Sequence, residues 1–284
     1  MKLVEAIMLG VIQGLAEFLP VSSSGHLVLF QHLFGLTNVE EGQYIFFDVL
    51  LHLGTLVAVF AVFRKTVGKL IAYFFRLIKK IFTGRFSYKA LNTYEKMVIL
   101  IVVATLPLAL VLVLKDSVER LFTPLYAGIG LLLTAVLLFS ADRVVTGKRA
   151  RIGRERKNMT LWDAVVIGIF QLAAIVPGIS RSGSTISAGL FRGLSRSQAL
   201  EFAFVLSIPA VLGANVVQFK DAVEVGVAKE LYLPFALGTA AAAVTGYLAI
   251  QLLRYFMKKN KFGAFAYYCA AVGVVSVIVG IVGM

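Results

Sequence analysis

Apolar residues along this chain gather into long runs, with charged residues collected between them. About 20 apolar residues are needed to cross a bilayer as helix. Six runs approach or exceed that length: 44–63, 97–114, 124–141, 198–217, 231–253 and 262–283. Four are shorter, at 3–19, 25–36, 161–176 and 184–191, and they fall into two pairs, each broken by a proline and a serine cluster. Each pair reads as a re-entrant hairpin, 3–36 and 161–191. The predicted fold is therefore an all-α integral membrane protein of six transmembrane helices plus two re-entrant helical hairpins. In the first hairpin Pro20 ends one helix, and Ser22 to Ser24 cap a second from about Gly25 to Phe34. Ser195 to Gln198 is a capping-box pattern opening the span at 198–217. Val67 to Phe82 mixes Leu70, Ile71 and Phe74 with Lys69, Arg76 and Lys79, which reads as an interfacial amphipathic helix.

Charge orients these elements. The chain has 284 residues, 59% of them hydrophobic, with mean hydropathy +0.88 and a formal net charge of +13. Such a composition excludes a soluble domain. The positive charge sits between spans, which argues against nucleic acid as a partner. Arg64 to Lys89 holds eight bases and no acid, and Arg143 to Lys157 holds seven bases against Glu155. By the positive-inside rule both lie on the cytoplasmic side, and both termini on the outer side. The first hairpin then opens outward and the second inward. Residues 1–142 and 143–284 form two repeats of opposite orientation, as in many transporters. The single cysteine, Cys269, rules out an intramolecular disulfide and a cysteine zinc site, and reads as a packing residue. Glu5, Gln13 and Glu17 make the apolar start unlike a cleavable signal.

The two hairpins also hold the polar groups hardest to explain in hydrocarbon. Gln13, Glu17, Ser22, Ser23, Ser24 and His26 lie in the first, and Ser180, Arg181, Ser182 and Thr185 in the second. Gly10, Gln13 and Glu17 share one helix face. Aligning the chain with itself at an offset of 158 superposes the hairpins without a gap. Leu3 meets Leu161, Gly10 meets Gly168, Gln13 meets Gln171, Ser22 meets Ser180, and Gly25 meets Gly183. The copies differ at Glu17 and His26 in one and at Arg181 and Thr185 in the other. Two tips entering from opposite faces can meet near the midplane. Arg181 suits phosphate through planar, permanently charged donors. Ser180, Ser182, Thr185 and helix-start N–H groups complete an anion cradle, with Ser22 and Ser24 on the facing tip. Asp48 and His52, four apart on the first span, can face one side; a polar pair near the span end is favoured over a place in the site. His32 reads as a polar residue on the hairpin's second helix.

The stretch Phe18 to His26 (Phe-Leu-Pro-Val-Ser-Ser-Ser-Gly-His), preceded by Gln13 and Glu17, resembles the first motif of the undecaprenyl-diphosphate phosphatases of the bacitracin-resistance family. Pro177 to Thr185 (Pro-Gly-Ile-Ser-Arg-Ser-Gly-Ser-Thr) resembles their second. The likeness extends over essentially the whole chain. Gln13 stands where many members carry Glu, so a supporting part suits it better than that of a base.

The resemblance implies a bacterial cytoplasmic-membrane phosphatase. It would convert undecaprenyl diphosphate to the monophosphate and inorganic phosphate from the outer face, recycling the carrier for cell-wall synthesis and lowering sensitivity to bacitracin. It implies Ser23 as nucleophile and Glu17 as its base, while His26 protonates the leaving group or is itself the nucleophile; the sequence leaves those two open. A divalent cation, Mg²⁺ or Ca²⁺, shared between Glu17 and the diphosphate is also open; no organic cofactor is implied. The expected partners are a polyprenyl diphosphate lipid, membrane lipids and a second copy of the chain as a homodimer. The alternative function is an inverted-repeat transporter or lipid flippase. The membrane acid-phosphatase superfamily is excluded, because it needs a late histidine and this chain has only His26, His32 and His52.

Overall fold

A computed structural model describes residues 1–33, 41–146, 158–225 and 228–283. The end of the first hairpin (34–36), Glu40 and most of the second basic loop (147–157) lie outside the described residues. Among those described there is no strand. The helices are α1 (Leu3–Phe18), α2 (Ser23–Leu33), α3 (Glu41–Phe82), α4 (Thr93–Thr105), α5 (Val111–Glu119), α6 (Pro124–Thr146), α7 (Leu161–Ala173), α8 (Arg181–Phe191), α9 (Arg196–Val225), α10 (Tyr232–Lys258) and α11 (Ala264–Val282). Among the described residues, six helical segments are long and apolar enough to cross a membrane: Gln43–Phe82, Thr93–Lys115, Pro124–Thr146, Arg196–Val217, Lys229–Lys258 and Ala264–Val282. The protein is a multi-pass membrane protein. Its exposed apolar side chains, such as Val113 at 82% and Val216 at 74%, suit lipid rather than water.

Two elements go beyond the sequence reading. Val67 to Phe82 is helical as read and joins the first span across a kink, where Phe63 has φ −106° and ψ 21°. Its apolar side has protein to pack on, with Leu70 and Leu77 in a cluster that includes Leu91, Val98 and Val205. The span at 97–114 is itself interrupted by a 3₁₀ turn at Leu106–Leu110, where Pro107 cannot donate to the helical ladder. The capping box at Ser195 forms as read: Gln198 N donates to Ser195 Oγ at 3.3 Å, and Ser195 N donates to Gln198 Oε1 at 3.2 Å.

The hairpins pack across the halves. Helix α1 lies mainly along α10, while α7 lies along α4. Small residues allow the close approach. A Cβ on Gly10 would stand 2.1 Å from the carbonyl oxygen of Gly238, and one on Gly168 would stand 2.6 Å from that of Ala104. Gly10 and Gly168 are repeat equivalents, so the same device seats each hairpin against the opposite half. Helices α6 and α11 pair extensively, as do α3 and α9. This cross-packing carries the two tips to one place.

Candidate active site

Both tips are built alike. Helix α1 ends at Phe18 before Pro20, and Ser22 caps α2 by accepting from Gly25 N at 3.3 Å. Ser180 caps α8 by accepting from Gly183 N at 3.1 Å. Each cap satisfies one orphan donor and leaves the first N–H groups of its helix facing outward. Ser22 does so in the left-handed region, at φ +70°, a conformation that serine adopts at a cost. In the second tip the equivalent Ser180 is extended, at φ −70°, and the left-handed bend falls two residues earlier at Gly178, φ +86°.

The tips then interlock. Ser182 Oγ donates to the Leu19 carbonyl at 3.2 Å, and Cys269 Sγ to the Pro20 carbonyl at 3.4 Å. From α6, Thr134 Oγ1 donates to the Gly178 carbonyl at 2.9 Å and accepts from Ser180 N at 3.0 Å. A Cβ on Gly25 would meet Gly178 Cα at 3.0 Å. The second tip is thus pinned to both the first tip and α6.

At the junction sits the Glu17 carboxylate, its side chain 4% exposed. One oxygen pairs with the Arg181 guanidinium. The other accepts from Ser23 Oγ at 2.7 Å and from Gln13 Nε2 at 3.2 Å. Ser23 and Arg181 are repeat equivalents, each the first residue of its helix, and they meet the same carboxylate. The Arg181 side chain is 25% exposed, so it spans from buried Glu17 toward the open side. A guanidinium has five N–H donors and can serve a carboxylate and an anion together.

His26 follows three residues after Ser23 in α2. Its Nδ1 is 2.8 Å from the Ser22 carbonyl, which accepts only, so Nδ1 carries the proton. Its Nε2 then accepts from the Tyr268 hydroxyl at 2.8 Å, with the two rings stacked at 5.6 Å between centroids. Tyr268 escapes a sequence reading, since a tyrosine in a span near the lipid boundary carries no special mark.

Asp48 and His52 occupy both roles weighed for them. They form a pair at 3.5 Å, and His52 Nε2 also stands 3.9 Å from Glu17. Of the expected cradle, Ser182 faces the junction. Ser180 is engaged as a cap, and Thr185 Oγ1 donates back to the Arg181 carbonyl at 2.9 Å. Ser22 and Ser24 hydroxyls face each other at 3.3 Å. His32 is exposed on α2 as expected.

As a chemical device, the junction offers a serine hydroxyl bonded to a carboxylate, an arginine beside them, two helix starts and an imidazole with a defined tautomer. That set suits attack on phosphorus with stabilisation of the equatorial oxygens.

Comparison with known proteins finds relatives along nearly the whole chain. A family model described as bacitracin resistance protein BacA matches residues 6–275. A protein named undecaprenyl-diphosphatase from Alkaliphilus metalliredigens is 43% identical over 276 residues, covering 96% of this chain and 97% of its own. Proteins of the same name from Methanosphaera stadtmanae and Desulfosudis oleivorans are 40% and 42% identical, each over 99% of both chains. With a family model spanning nearly its whole length and relatives this similar from end to end, the chain belongs to the bacitracin resistance protein BacA family.

Proposed function

We propose that this protein hydrolyses undecaprenyl diphosphate to undecaprenyl phosphate and inorganic phosphate. The observation that carries the reading is the Ser23 hydroxyl donating at 2.7 Å to Glu17, which also pairs with Arg181. A nucleophile bonded to its base is what covalent phosphoryl transfer needs. Ser23 Oγ attacks the terminal phosphorus and Glu17 takes its proton. The bond from that phosphorus to the bridging oxygen breaks, and the lipid monophosphate leaves with the electron pair. Arg181 and the N–H groups at the two helix starts meet the developing negative charge. Water then attacks the phosphoserine, releasing inorganic phosphate and returning the proton to Ser23. His26 keeps its proton on Nδ1 against the Ser22 carbonyl and its Nε2 on the Tyr268 hydroxyl, so it protonates the leaving oxygen only if substrate takes the place of one of these partners.

Glu17 is a poor ligand for a metal as arranged, because both oxygens already face donors and one faces a cation. Among the described residues no three His, Cys, Asp or Glu converge to hold an ion. A Mg²⁺ or Ca²⁺ ion would arrive on the diphosphate.

The basic segments support the orientation, with Arg64 to Lys89 inside and the junction reached from outside. In that place the reaction would recycle the lipid carrier for cell-wall synthesis and reduce sensitivity to bacitracin. Purified protein should release phosphate from long-chain prenyl diphosphates in preference to short ones and leave the monophosphates intact. Absence of release from every diphosphate, with lipid translocation across vesicles instead, would replace this reading with the flippase. Single cysteines at Arg85 and Arg120, in a Cys269→Ala background, should label from opposite sides of the membrane; same-side labelling would undo the orientation.

A further inference from the structure

A cavity of about 930 Å³ lies apart from Glu17, where the α3 kink, the start of α9 and the end of α10 meet. Five cations line it: Arg64, Lys65, Arg196, Arg254 and Lys258. Against them stands one carboxylate, Glu201, which accepts from Thr66 Oγ1 at 2.8 Å. The positive-inside rule explains the sign of these loops. It does not explain why side chains from three helices converge on one concavity, while Lys79, Arg85 and Lys89 of the same basic segment take no part in its lining. Like charges gathered in one concavity repel, and an anion relieves that repulsion.

Its floor and its separation are both defined. Val62, Leu200 and Met257 supply apolar surface under the cations. The Arg254 guanidinium lies 4.6 Å from the Phe63 ring centroid, which holds it in place at the kink. Phe63 packs on Phe204 at 5.7 Å, and Phe204 packs edge-on against Phe18 at 5.5 Å, beside Glu17. An aromatic layer therefore lies between the cavity and the catalytic junction. The volume is that of a small-molecule site.

We infer that this cavity is a second anion site, taking a phosphate group carried by a lipid headgroup or by a soluble molecule. The inference does not rest on the hydrolytic reading, and the test keeps the two apart. Arg181→Gln removes the junction's main anion contact, so responses measured in that background report the cavity. Thermal unfolding of the purified protein in neutral detergent is followed against inorganic phosphate, and against phosphatidylglycerol with phosphatidylcholine as control. One of the anionic probes should raise the unfolding temperature saturably. Adding R64Q/R196Q should then raise the half-saturation point by about tenfold or more, as expected for lost charge-assisted contacts. A response to free phosphate identifies a soluble ligand; a response to phosphatidylglycerol alone identifies a headgroup. With Arg181 intact, R64Q/R196Q should hydrolyse substrate at the parent rate. If that double variant does not fold, Lys258→Gln at the exposed end of α10 makes the same comparison with a severalfold shift. No response to either probe would overturn the site. So would equal loss in Arg143→Gln, an exposed base outside the cavity, because bulk charge would then account for it.

Discussion

The two hairpin tips share a plan and divide the chemistry. Each begins with an acidic residue in the first turn, Glu5 or Asp163, and each ends its first helix just before a serine-capped second one. The equivalent positions then diverge. Ser23 in one tip is Arg181 in the other, and both reach Glu17, whose own equivalent is the apolar Ile175. Gln13 donates to Glu17, while its equivalent Gln171 donates to the Ala104 carbonyl. His26 stands opposite Ser184. The first tip thus holds the carboxylate, the hydroxyl and the imidazole, and the second holds the cation. A duplicated helix start has kept its serine cap, which suits anions in either copy, while the cap backbone (Ser22 φ +70°, Ser180 φ −70°) and the side chains around it have diverged.

The largest expected effect tests that division. Ser23→Ala should stop turnover, while substrate remains bound through the second tip. His26→Ala should retain some turnover, because general acid help accounts for about 10²–10⁴-fold. Single-turnover phosphate release measures both. The reverse ranking, with a phosphorylated imidazole trapped on the protein, would make His26 the nucleophile. Next comes the cation. Arg181→Lys keeps the charge but loses the planar fork, so kcat/KM should fall about tenfold to a hundredfold. An unchanged rate in the folded variant would make Arg181 a structural partner of Glu17 and remove the second tip from catalysis.

The tips should also differ in tolerance to a methyl group. At Gly178 a Cβ would stand 2.0 Å from the Ala127 carbonyl oxygen, and φ is +86°. At Gly25 it would meet Gly178 Cα at 3.0 Å, in a helical backbone. Gly178→Ala should lower stability by at least about 1–2 kcal/mol more than Gly25→Ala, read from unfolding temperatures of the two variants. Equal losses would mean that the second tip is as free to shift as the first. The smallest effect concerns His52, at 3.9 Å from Glu17 and 24% exposed. This contact is longer than those Glu17 makes with Ser23, Gln13 and Arg181, so His52→Gln should slow phosphate release by no more than about fivefold. A loss as deep as that of Arg181→Lys would promote His52 to a full member of the first tip's set.

Much of this arrangement is legible in the sequence, because it is local. Run lengths separate spans from hairpins, Pro20 and the serines mark the breaks, and the offset of 158 exposes the duplication. Those features depend on residues a few positions apart, where sterics and hydrogen bonding act without help from the rest of the chain. The amphipathic pattern of Val67 to Phe82 marks a helix too, but that it joins α3 across a kink at Phe63 and packs Leu70 and Leu77 beside Val98 and Val205 is not local information.

What the sequence alone determined is the set of helices, the duplicated tips and the residue types each tip carries. Tertiary structure decided which of those residues touch. Whether Asp48 and His52 turn toward Glu17, whether Tyr268 reaches His26, and whether Thr134 pins Gly178 all depend on helix rotation and offset. Those are fixed by close packing between segments as far apart in sequence as α1 and α10, through contacts such as Gly10 on Gly238. The pairing of Arg181 with Glu17 and the gathering of five cations around one cavity have the same origin. Periodicity within a helix sets which face is apolar; the neighbour it meets, and at what height, is set only when all the helices pack at once.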